Sequence, residues 1–239
     1  MLHYDARERH FATAVEALVA RVDGDAEAVS LRARVRPLPD VAYGRVVRRE
    51  GTWLQYWFLY EENPQDRGIV RTGRHEGDWE MVQLRLGAGG RPVTATYAQH
   101  GWAARCGWTG RVYVAHGSHA SYPEPGEHGR PWPDPDDEAR GDGRAVRPQV
   151  RPFGPWARWP GRWGRAEARS WIPAESSSPR GPAFQEGGAW SNPAGRHAEA
   201  RPCSAGAPRH PWPVYAGAGI VGITLLGGIF LALRPRLAP

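Results

Sequence analysis

The sequence predicts a mostly β, sandwich-like domain with short helices, followed by one C-terminal transmembrane helix. The 239 residues include 12 Trp, 30 Gly and 23 Pro, a composition typical of strands joined by many turns rather than of helical bundles. Several stretches alternate apolar and polar residues with period two, as strands with one buried face do. Residues 214–233 carry no charge, and such a span is long enough to cross a bilayer as a helix.

The chain divides into four parts by composition. The sandwich-like domain takes residues 1–193, a linker rich in Arg, Pro, Ala and Gly takes 194–213, the apolar span takes 214–233, and a short basic tail takes 234–239. The N-terminus has neither a basic region followed by an apolar core nor a cleavage site. We therefore expect a single-pass, tail-anchored protein of the cell membrane with a cytoplasmic domain; an extracytoplasmic domain stays open, because arginines flank the span on both sides.

The first elements follow from local patterns. A capping-box pattern at residues 13–16 predicts a short helix. Residues 52–60 carry apolar side chains on both faces, which predicts a central strand covered from both sides. Residues 61–68 form a predicted loop that holds Asp66. Further strands are predicted at 79–86, 92–100 and 111–116, and a long solvated loop rich in Pro, Gly and acid is predicted at 123–143.

The charges and cysteines exclude little. All 31 basic residues are arginine and the formal net charge is +6, which favours anionic partners only weakly; no nucleic-acid partner is favoured. Cys106 and Cys203 fit no zinc-site spacing. They could pair only in an oxidising compartment, and we expect two unpaired thiols.

One stretch, Gly73–Glu80, concentrates groups that bind cations. Period two places Asp78 and Glu80 on the same side of a strand, and His75 stands three residues before Asp78 in a glycine-bracketed turn. Two carboxylates and an imidazole are costly to crowd together unless a cation neutralises them. Oxygen ligands favour calcium, magnesium or manganese. The structural alternative is a cluster in which Trp79 packs and the carboxylates bond to arginines and backbone amides.

Two further constellations have a functional and a structural interpretation. We expect His100, His116, His119 and Tyr122 to line the same pocket as ligand-binding residues, unless His116 is a core histidine and His119 a turn residue. The arginines and tryptophans of residues 144–169 could hold phosphates and stack on sugars, bases or a membrane interface. Alternatively, the tryptophans pack around the sandwich and the arginines form a solvated face. We favour this structural role for Trp163 and leave both roles of the arginines open.

Several motifs carry a family resemblance. The segments LQYWFLYEEN, GRHEGDWEMV, YAQH and VYVAHGSHASY resemble the vacuolar protein sorting 62-related family from about Tyr4 to about Pro193. The H-x-x-D-W-E core is also similar to the heptapeptide of the necrosis-inducing toxins secreted by plant pathogens. In those toxins the matching positions hold a divalent cation, so the resemblance implies His75, Asp78, Glu80 and, with a one-residue adjustment, Asp66 as metal ligands. Gly77 stands where the toxins have a second histidine, so their activity does not follow.

These features predict a membrane-anchored, divalent-metal-dependent binding module for a glycan or an anionic lipid headgroup. One alternative is a hydrolase that uses the same metal, with Glu76 or His116 as base. Another is a structural, membrane-associated scaffold. The motifs G-x-S-x-G and H-E-x-x-H do not occur in the chain, and we expect a binding protein rather than an enzyme.

Overall fold

The computed structural model describes residues 1–19, 27–34, 36–67, 70–71, 73–130, 134–168, 171, 175–185 and 188–205, with 66–67 and 70–71 described by their backbone. The helices are α1 (Val15–Leu18) and α2 (Pro193–Glu199), with 3-10 turns at Ala88–Gly90, Pro155–Arg158, Pro182–Phe184 and Cys203–Ala205. The strands are β1 (Leu2–Tyr4), β2 (Ala28–Val29), β3 (Val41–Arg48), β4 (Thr52–Asn63), β5 (Asp66–Arg67), β6 (Val70–Arg71), β7 (His75–Leu86), β8 (Pro92–Gln99), β9 (Trp102–Cys106), β10 (Val112–Val114), β11 (Ser121–Tyr122), β12 (Gly126–His128), β13 (Asp137–Ala139), β14 (Ala145–Val146), β15 (Gln149–Pro152), β16 (Arg162–Trp163) and β17 (Arg201–Pro202).

A seven-stranded sheet forms the centre of the domain, in the order β15-β3-β4-β7-β8-β9-β17. Its five inner strands are antiparallel neighbours, and the outer strands β15 and β17 join in parallel. The longest pairing joins β4 to β7 from Thr52–Leu86 to Asn63–His75. Each of these strands is 12 residues long, so the central ladder places the start of β7 opposite the end of β4.

The two faces of the central sheet are covered by different layers. A four-stranded sheet in the order β11-β10-β1-β14 covers one face, and the core between the sheets contains Leu2, Tyr4, Phe58, Tyr60, Val82, Leu84, Tyr97, Val112 and Val114. The other face packs against α1 and a layer rich in tryptophan. The core on this side contains Val15, Leu18, Trp57, Leu59, Trp79, Met81, Trp159 and Trp163. A central strand with apolar groups on both faces is therefore sandwiched between two layers, as its sequence predicts.

The aromatic layer approaches β7 so closely that a side chain is excluded at one position. Gly77 has φ +69°, and a Cβ atom built there would lie 2.0 Å from the carbonyl oxygen of Trp163. Trp163 itself is fully buried and packs edge-on against Trp79. This contact, together with the positive φ, leaves no room for a side chain at this position.

Residues after 193, where the sequence indicates a linker, are part of this domain as far as the structure describes them. Asn192 caps α2 by accepting a hydrogen bond from the Gly195 amide, and Pro193 occupies the first turn. Two buried groups attach the helix to the sheet: Gln83 Nε2 donates to the Pro193 carbonyl, and the Thr96 hydroxyl lies 2.6 Å from His197 Nδ1. The strand β17 then pairs with β9.

Cys106 and Cys203 form a disulfide whose Cα atoms are 5.6 Å apart. The expectation of two unpaired thiols is therefore wrong. The register of β17 on β9 places Pro202 opposite Arg105, so the next residue of each strand is a cysteine although 97 positions separate them. Disulfides persist in oxidising compartments, which disagrees with the expectation of a cytoplasmic domain.

The expectation of a C-terminal transmembrane helix is corrected. Residues 214–233 and the tail 234–239 lie outside the described residues, and within the described ones no helix is long and apolar enough to cross a membrane. The longer α-helix there has seven residues, about 10 Å at 1.5 Å per residue, against a hydrocarbon core of about 30 Å. The fold class is a mostly β domain with short helices, and a single-pass membrane location is not supported.

Candidate functional site

Asp78 and Glu80 enter the core between the two sheets because β7 alternates its faces. Tyr60 and Phe58 stand opposite them on β4, and both of these rings belong to the core between the sheets. Asp78 is 6% exposed and Glu80 is 8% exposed. Two neighbouring carboxylates therefore point to one side of a buried strand, as the period-two pattern predicts.

His119 holds Asp78 from the interior. Its Nδ1 lies 3.0 Å from Asp78 Oδ2, and its Nε2 lies 3.6 Å from Glu8 Oε1, within ion-pair range. The ring is completely buried and stacks on Tyr60 with 3.9 Å between ring centres. His119 is thus fixed between two carboxylates and is not open to a ligand.

Glu8 completes this ion-pair network from the N-terminal segment. It accepts hydrogen bonds from the backbone amides of Arg9, His10 and Gly117 at 2.7, 2.8 and 2.9 Å. Burial alone would lower the pKa of His119, but the charges of Glu8 and Asp78 outweigh burial and raise this pKa to about 9. Burial would likewise raise the pKa of Glu8, but His119 and the amides hold that pKa well below its usual range. His119 is therefore a buried cation at neutral pH.

A second buried carboxylate, Asp137, lies in the stretch for which the sequence predicts a solvated loop. Within this stretch β12 and β13 pair as antiparallel strands, and Asp137 is fully buried. It accepts hydrogen bonds from Ser118 Oγ at 2.6 Å and Tyr122 OH at 2.7 Å, and its Oδ2 lies 2.7 Å from His100 Nε2. Burial would raise the pKa of Asp137, but His100 and the other partners keep this pKa well below its usual range.

Glu80 has a different environment from the carboxylates on either side of it. Burial raises its pKa well above the usual value, and the charges of Asp78 and Asp137 raise it further, while Arg196 opposes them. No hydrogen-bond or ion-pair partner side chain is seen for Glu80 in the described part of the chain. Glu80 therefore holds a proton more tightly than an ordinary carboxyl group does.

A cavity opens beside these carboxylates where β7 lacks a strand on one side. The pairing between β7 and β8 begins at Val82. In the described structure, the residues of β7 before Val82 therefore pair with β4 but not with β8. The cavity, which we name the inner pocket, has a volume of about 220 Å³. Its lining includes Asn63, His75, Asp78, Glu80, His100, Gln185 and Arg196.

The predicted metal ligands fall into two groups. His75, Asp78 and Glu80 all line the inner pocket. The Gly77 carbonyl lies 2.5 Å from His75 Nδ1; because a carbonyl only accepts, this nitrogen carries the proton, and Nε2 of the neutral ring is the nitrogen that could bind a metal. Asp66 lies on β5, where the backbone alone is described.

The predicted ligand-binding residues also separate. His100 lines the inner pocket. His119 and Tyr122 instead support Asp78 and Asp137 from the interior. His116 is not among the residues that line the pocket, and its backbone amide donates to the Glu138 carbonyl. Among these four residues, one therefore faces the cavity, and two act on the carboxylates around it.

The donor set fits a hard divalent cation in its chemistry. Asn63 donates from Nδ2 to Asp78 Oδ2 over 3.4 Å, whereas its buried carbonyl oxygen has no hydrogen-bond partner among the described residues. Such an orphaned oxygen beside two carboxylates is what a missing cation would leave. In the described residues, however, no three His, Cys, Asp or Glu side chains are already gathered as a metal cluster. Binding would therefore have to draw these groups together.

Several residues of the site were not foreseen from the sequence. Glu8, Asn63, Asp137 and Arg196 come from four separate segments and meet around β7. Asn63 lies in the predicted loop 61–68, whereas in the structure β4 continues to Asn63 and places it opposite His75. The others depend on tertiary contacts that no spacing in the chain reveals.

Comparisons with known proteins give one remote likeness. No protein-family model matches the chain, and no curated protein matches it, so the resemblance to the vacuolar protein sorting 62-related family rests on its motifs. Among solved structures, NLPPya in complex with mannosamine covers 64% of this chain and 68% of its own, with 15% identity and a TM-score of 0.37. NLPPya in complex with glucosamine gives the same identity and TM-score. Non-toxic HaNLP3 covers 64% and 70% with 13% identity and a TM-score of 0.38. The chain is thus remotely similar to the fold of the necrosis-inducing toxins, and at these TM-scores the likeness carries no functional argument.

Proposed function

We propose that this chain is a glycan-binding module whose inner pocket takes a divalent cation between Asp78 and Glu80. The observation that carries the proposal is the pair of neighbouring buried carboxylates in a pocket wall, beside the orphaned carbonyl oxygen of Asn63. A bound calcium, magnesium or manganese ion would take the place of the proton that Glu80 holds and would supply positions for sugar hydroxyl groups.

The rest of the pocket supports a sugar rather than an apolar ligand. Asn63, His100, Gln185 and Arg196 offer donors and acceptors in a space of about 220 Å³, a volume that suits one sugar ring rather than a long chain. An anionic lipid headgroup is the alternative ligand, because a cation bound at the carboxylates would also attract a phosphate.

The metal part of the proposal is tested by thermal unfolding in the presence of calcium, magnesium or manganese, or of a chelator. An ion that binds only the folded state raises its stability by about 2.7 kcal/mol at a hundred times the dissociation constant. We expect Glu80→Gln to abolish this response while leaving the fold intact, because Glu80 holds no ion-pair partner in the described structure. Glu127→Gln, at an exposed position, is the matched control and should respond as the parent does.

The sugar part is tested with a glycan array that includes glucosamine and mannosamine, run with metal and with chelator. Binding that chelator and Glu80→Gln both remove supports the proposal. A flat metal response in the parent protein ends the cation hypothesis, and sugar binding that survives in chelator would leave a metal-independent lectin.

A second candidate function is a metal-dependent hydrolase, and one observation favours it. His100 lines the inner pocket, and its Nε2 lies 2.7 Å from the buried carboxylate of Asp137. A carboxylate that orients an imidazole is a common arrangement for a general base. The bases considered from the sequence are less suitable: Glu76 accepts hydrogen bonds from Ser30 and Leu31, and His116 lies outside the pocket lining. Release of nitrophenol from a panel of nitrophenyl glycosides and esters, abolished by His100→Ala, would favour the enzyme.

A further inference from the structure

A larger groove adjoins the inner pocket and has the opposite charge. Its volume is about 660 Å³, and its lining includes Arg162, Arg180, Arg196, Ser177, Ser178 and Phe184. We name it the arginine groove. It contains three guanidinium groups and no carboxylate in its lining, whereas the inner pocket contains Asp78 and Glu80.

The arginines of this groove form no close ion pair in the described part of the chain. Within the described ranges, none of the three has an acid within 4.0 Å, and the charges of Glu80 and Glu199 act on Arg196 only from farther away. Arg162 and Arg180 are also direct partners in an antiparallel bridge. Like charges opposite each other on paired strands are destabilising, so an anion between them would relieve a repulsion that the protein leaves in place.

Two of these guanidinium groups are held in position by backbone carbonyls. Arg162 Nη1 donates to the Ser178 carbonyl at 2.8 Å, and Arg196 Nη2 donates to the Trp102 carbonyl at 2.6 Å. Arg196 is almost completely buried, at 9% exposure. Donors that are already ordered lose little conformational freedom when a ligand binds. Arg180 is the exposed member of the three.

The groove and the inner pocket share four lining residues: His100, Pro179, Gln185 and Arg196. We propose that the arginine groove is an anion subsite, so that the ligand of the proposed glycan site is an acidic saccharide. Its hydroxyl groups would enter the inner pocket, and its carboxylate, sulfate or phosphate group would lie against the three arginines. The assignment of a saccharide ligand rests on the proposed function, and the assignment of a negative charge on that ligand rests on the arginine groove.

The charge preference is measured with two sugars that differ in one group. Calorimetric titration of the metal-loaded protein with glucose and with glucuronic acid gives the contribution of a carboxylate at constant ring structure. We expect glucuronic acid to bind about tenfold more tightly, because a charge-assisted hydrogen bond contributes about 1.5 kcal/mol or more. The double variant Arg162→Gln/Arg180→Gln should lose this preference and keep the affinity for glucose. Arg91→Gln, an exposed arginine outside both linings, is the matched control and should keep the preference.

A separate measurement keeps the groove testable if neither sugar binds. Inorganic sulfate at constant ionic strength should raise the melting temperature of the parent and of Arg91→Gln, but not of the double variant. If sulfate acts in this way and both sugars fail, the anion subsite stands and the glycan function falls. Equal affinities for the two sugars, or a sulfate response that the double variant retains, overturn the subsite.

Two further arms identify the source of the anion. Phosphatidylcholine vesicles that carry a glucuronosyl diacylglycerol should bind more tightly than free glucuronic acid if the saccharide is lipid-linked, and no more tightly if it is free. A single-stranded oligonucleotide is the competing class of ligand. If it binds more tightly than either saccharide and depends on Arg162 and Arg180, the acidic-saccharide assignment is wrong.

Discussion

Two buried carboxylate–histidine pairs lie near Glu80, and they differ in access. In the pair of Asp78 and His119, the histidine is completely buried and both of its ring nitrogens are directed at carboxylates. In the pair of Asp137 and His100, the carboxylate is buried, but the His100 side chain is 20% exposed and lines both cavities. Both pairs join an imidazole ring to a buried carboxylate, but the two histidines differ in their exposure.

The difference shows how one type of interaction can serve stability or recognition according to what surrounds it. His119 connects β7 with the N-terminal segment through Asp78 and Glu8, so its charge is balanced by carboxylates inside the domain. His100 is oriented by Asp137 and presents its ring to a space that a ligand can enter. A carboxylate–histidine motif in a sequence therefore does not distinguish the two roles, because exposure is a tertiary property.

The largest effect is expected for His119→Leu. Removal of the shared cation leaves Asp78 and Glu8 buried without a counter-charge, and breaking a buried ion pair in this way typically lowers the free energy of unfolding by about 3–5 kcal/mol. Urea denaturation followed by fluorescence measures it. His100→Leu is the matched variant and should cost clearly less; equal losses would show that both pairs are structural.

The next effect is a pH dependence of the free energy of unfolding, which arises from the buried pair of Asp78 and His119. The folded pKa of His119 is raised from 6.5 to about 9, so its contribution is fully present below about pH 6.5 and is lost as the pH rises through about 9. The shift corresponds to about 3 kcal/mol. Unfolding free energies of the parent and of His119→Gln between pH 6 and pH 10 should therefore converge at the alkaline end. A constant difference across this range would contradict a charged His119.

A smaller effect on stability is expected for His100→Ala, which removes one of several partners of Asp137. Ser118 and Tyr122 still donate to this carboxylate, so we expect a loss of about 1–2 kcal/mol. Binding in the glycan array should fall more than stability does, because the imidazole lines the pocket. A variant that binds normally but unfolds easily would place His100 with His119 as a structural residue.

A gain in stability rather than a loss is expected for Glu80→Gln in metal-free protein. The folded pKa of Glu80 is raised above its unfolded value, so ionisation of this group destabilises the folded state as the pH rises above about 4.5. Glutamine removes that penalty, and a gain in stability at pH 7 follows. The gain should disappear at pH 4, where glutamate is largely protonated in both states. A marked loss at pH 7 would indicate an ion pair at Glu80.

Local sequence patterns predicted the central strands and the face that Asp78 and Glu80 share. They succeed because alternation is a property of a single strand and needs no partner. They failed at Asp137, where a run of Pro, Gly and acid is typical of a solvated loop but one acid turns inward to Ser118, Tyr122 and His100. The partners of that carboxylate come from distant segments of the chain, so burial reverses what composition suggests.

The same limit applies to the ends of the domain. Glu8 is brought to His119 by the N-terminal strand β1, and Cys203 is brought to Cys106 by β17. Neither strand is longer than three residues, too short for periodicity to mark it. Gly77 illustrates the opposite case: the sequence shows the glycine, and only the neighbouring Trp163 carbonyl explains why no side chain can replace it.

The disulfide makes residues 106 to 203 a closed covalent ring, and this has a consequence for cleavage of the chain. The ring contains the strands β12 and β13, the three arginines of the arginine groove and α2. A protease that cuts the backbone once inside the ring opens it but releases nothing, since both fragments remain joined through sulfur. Such nicked protein would migrate as one species on a gel until a thiol is added, and two bands would then report where the ring was cut.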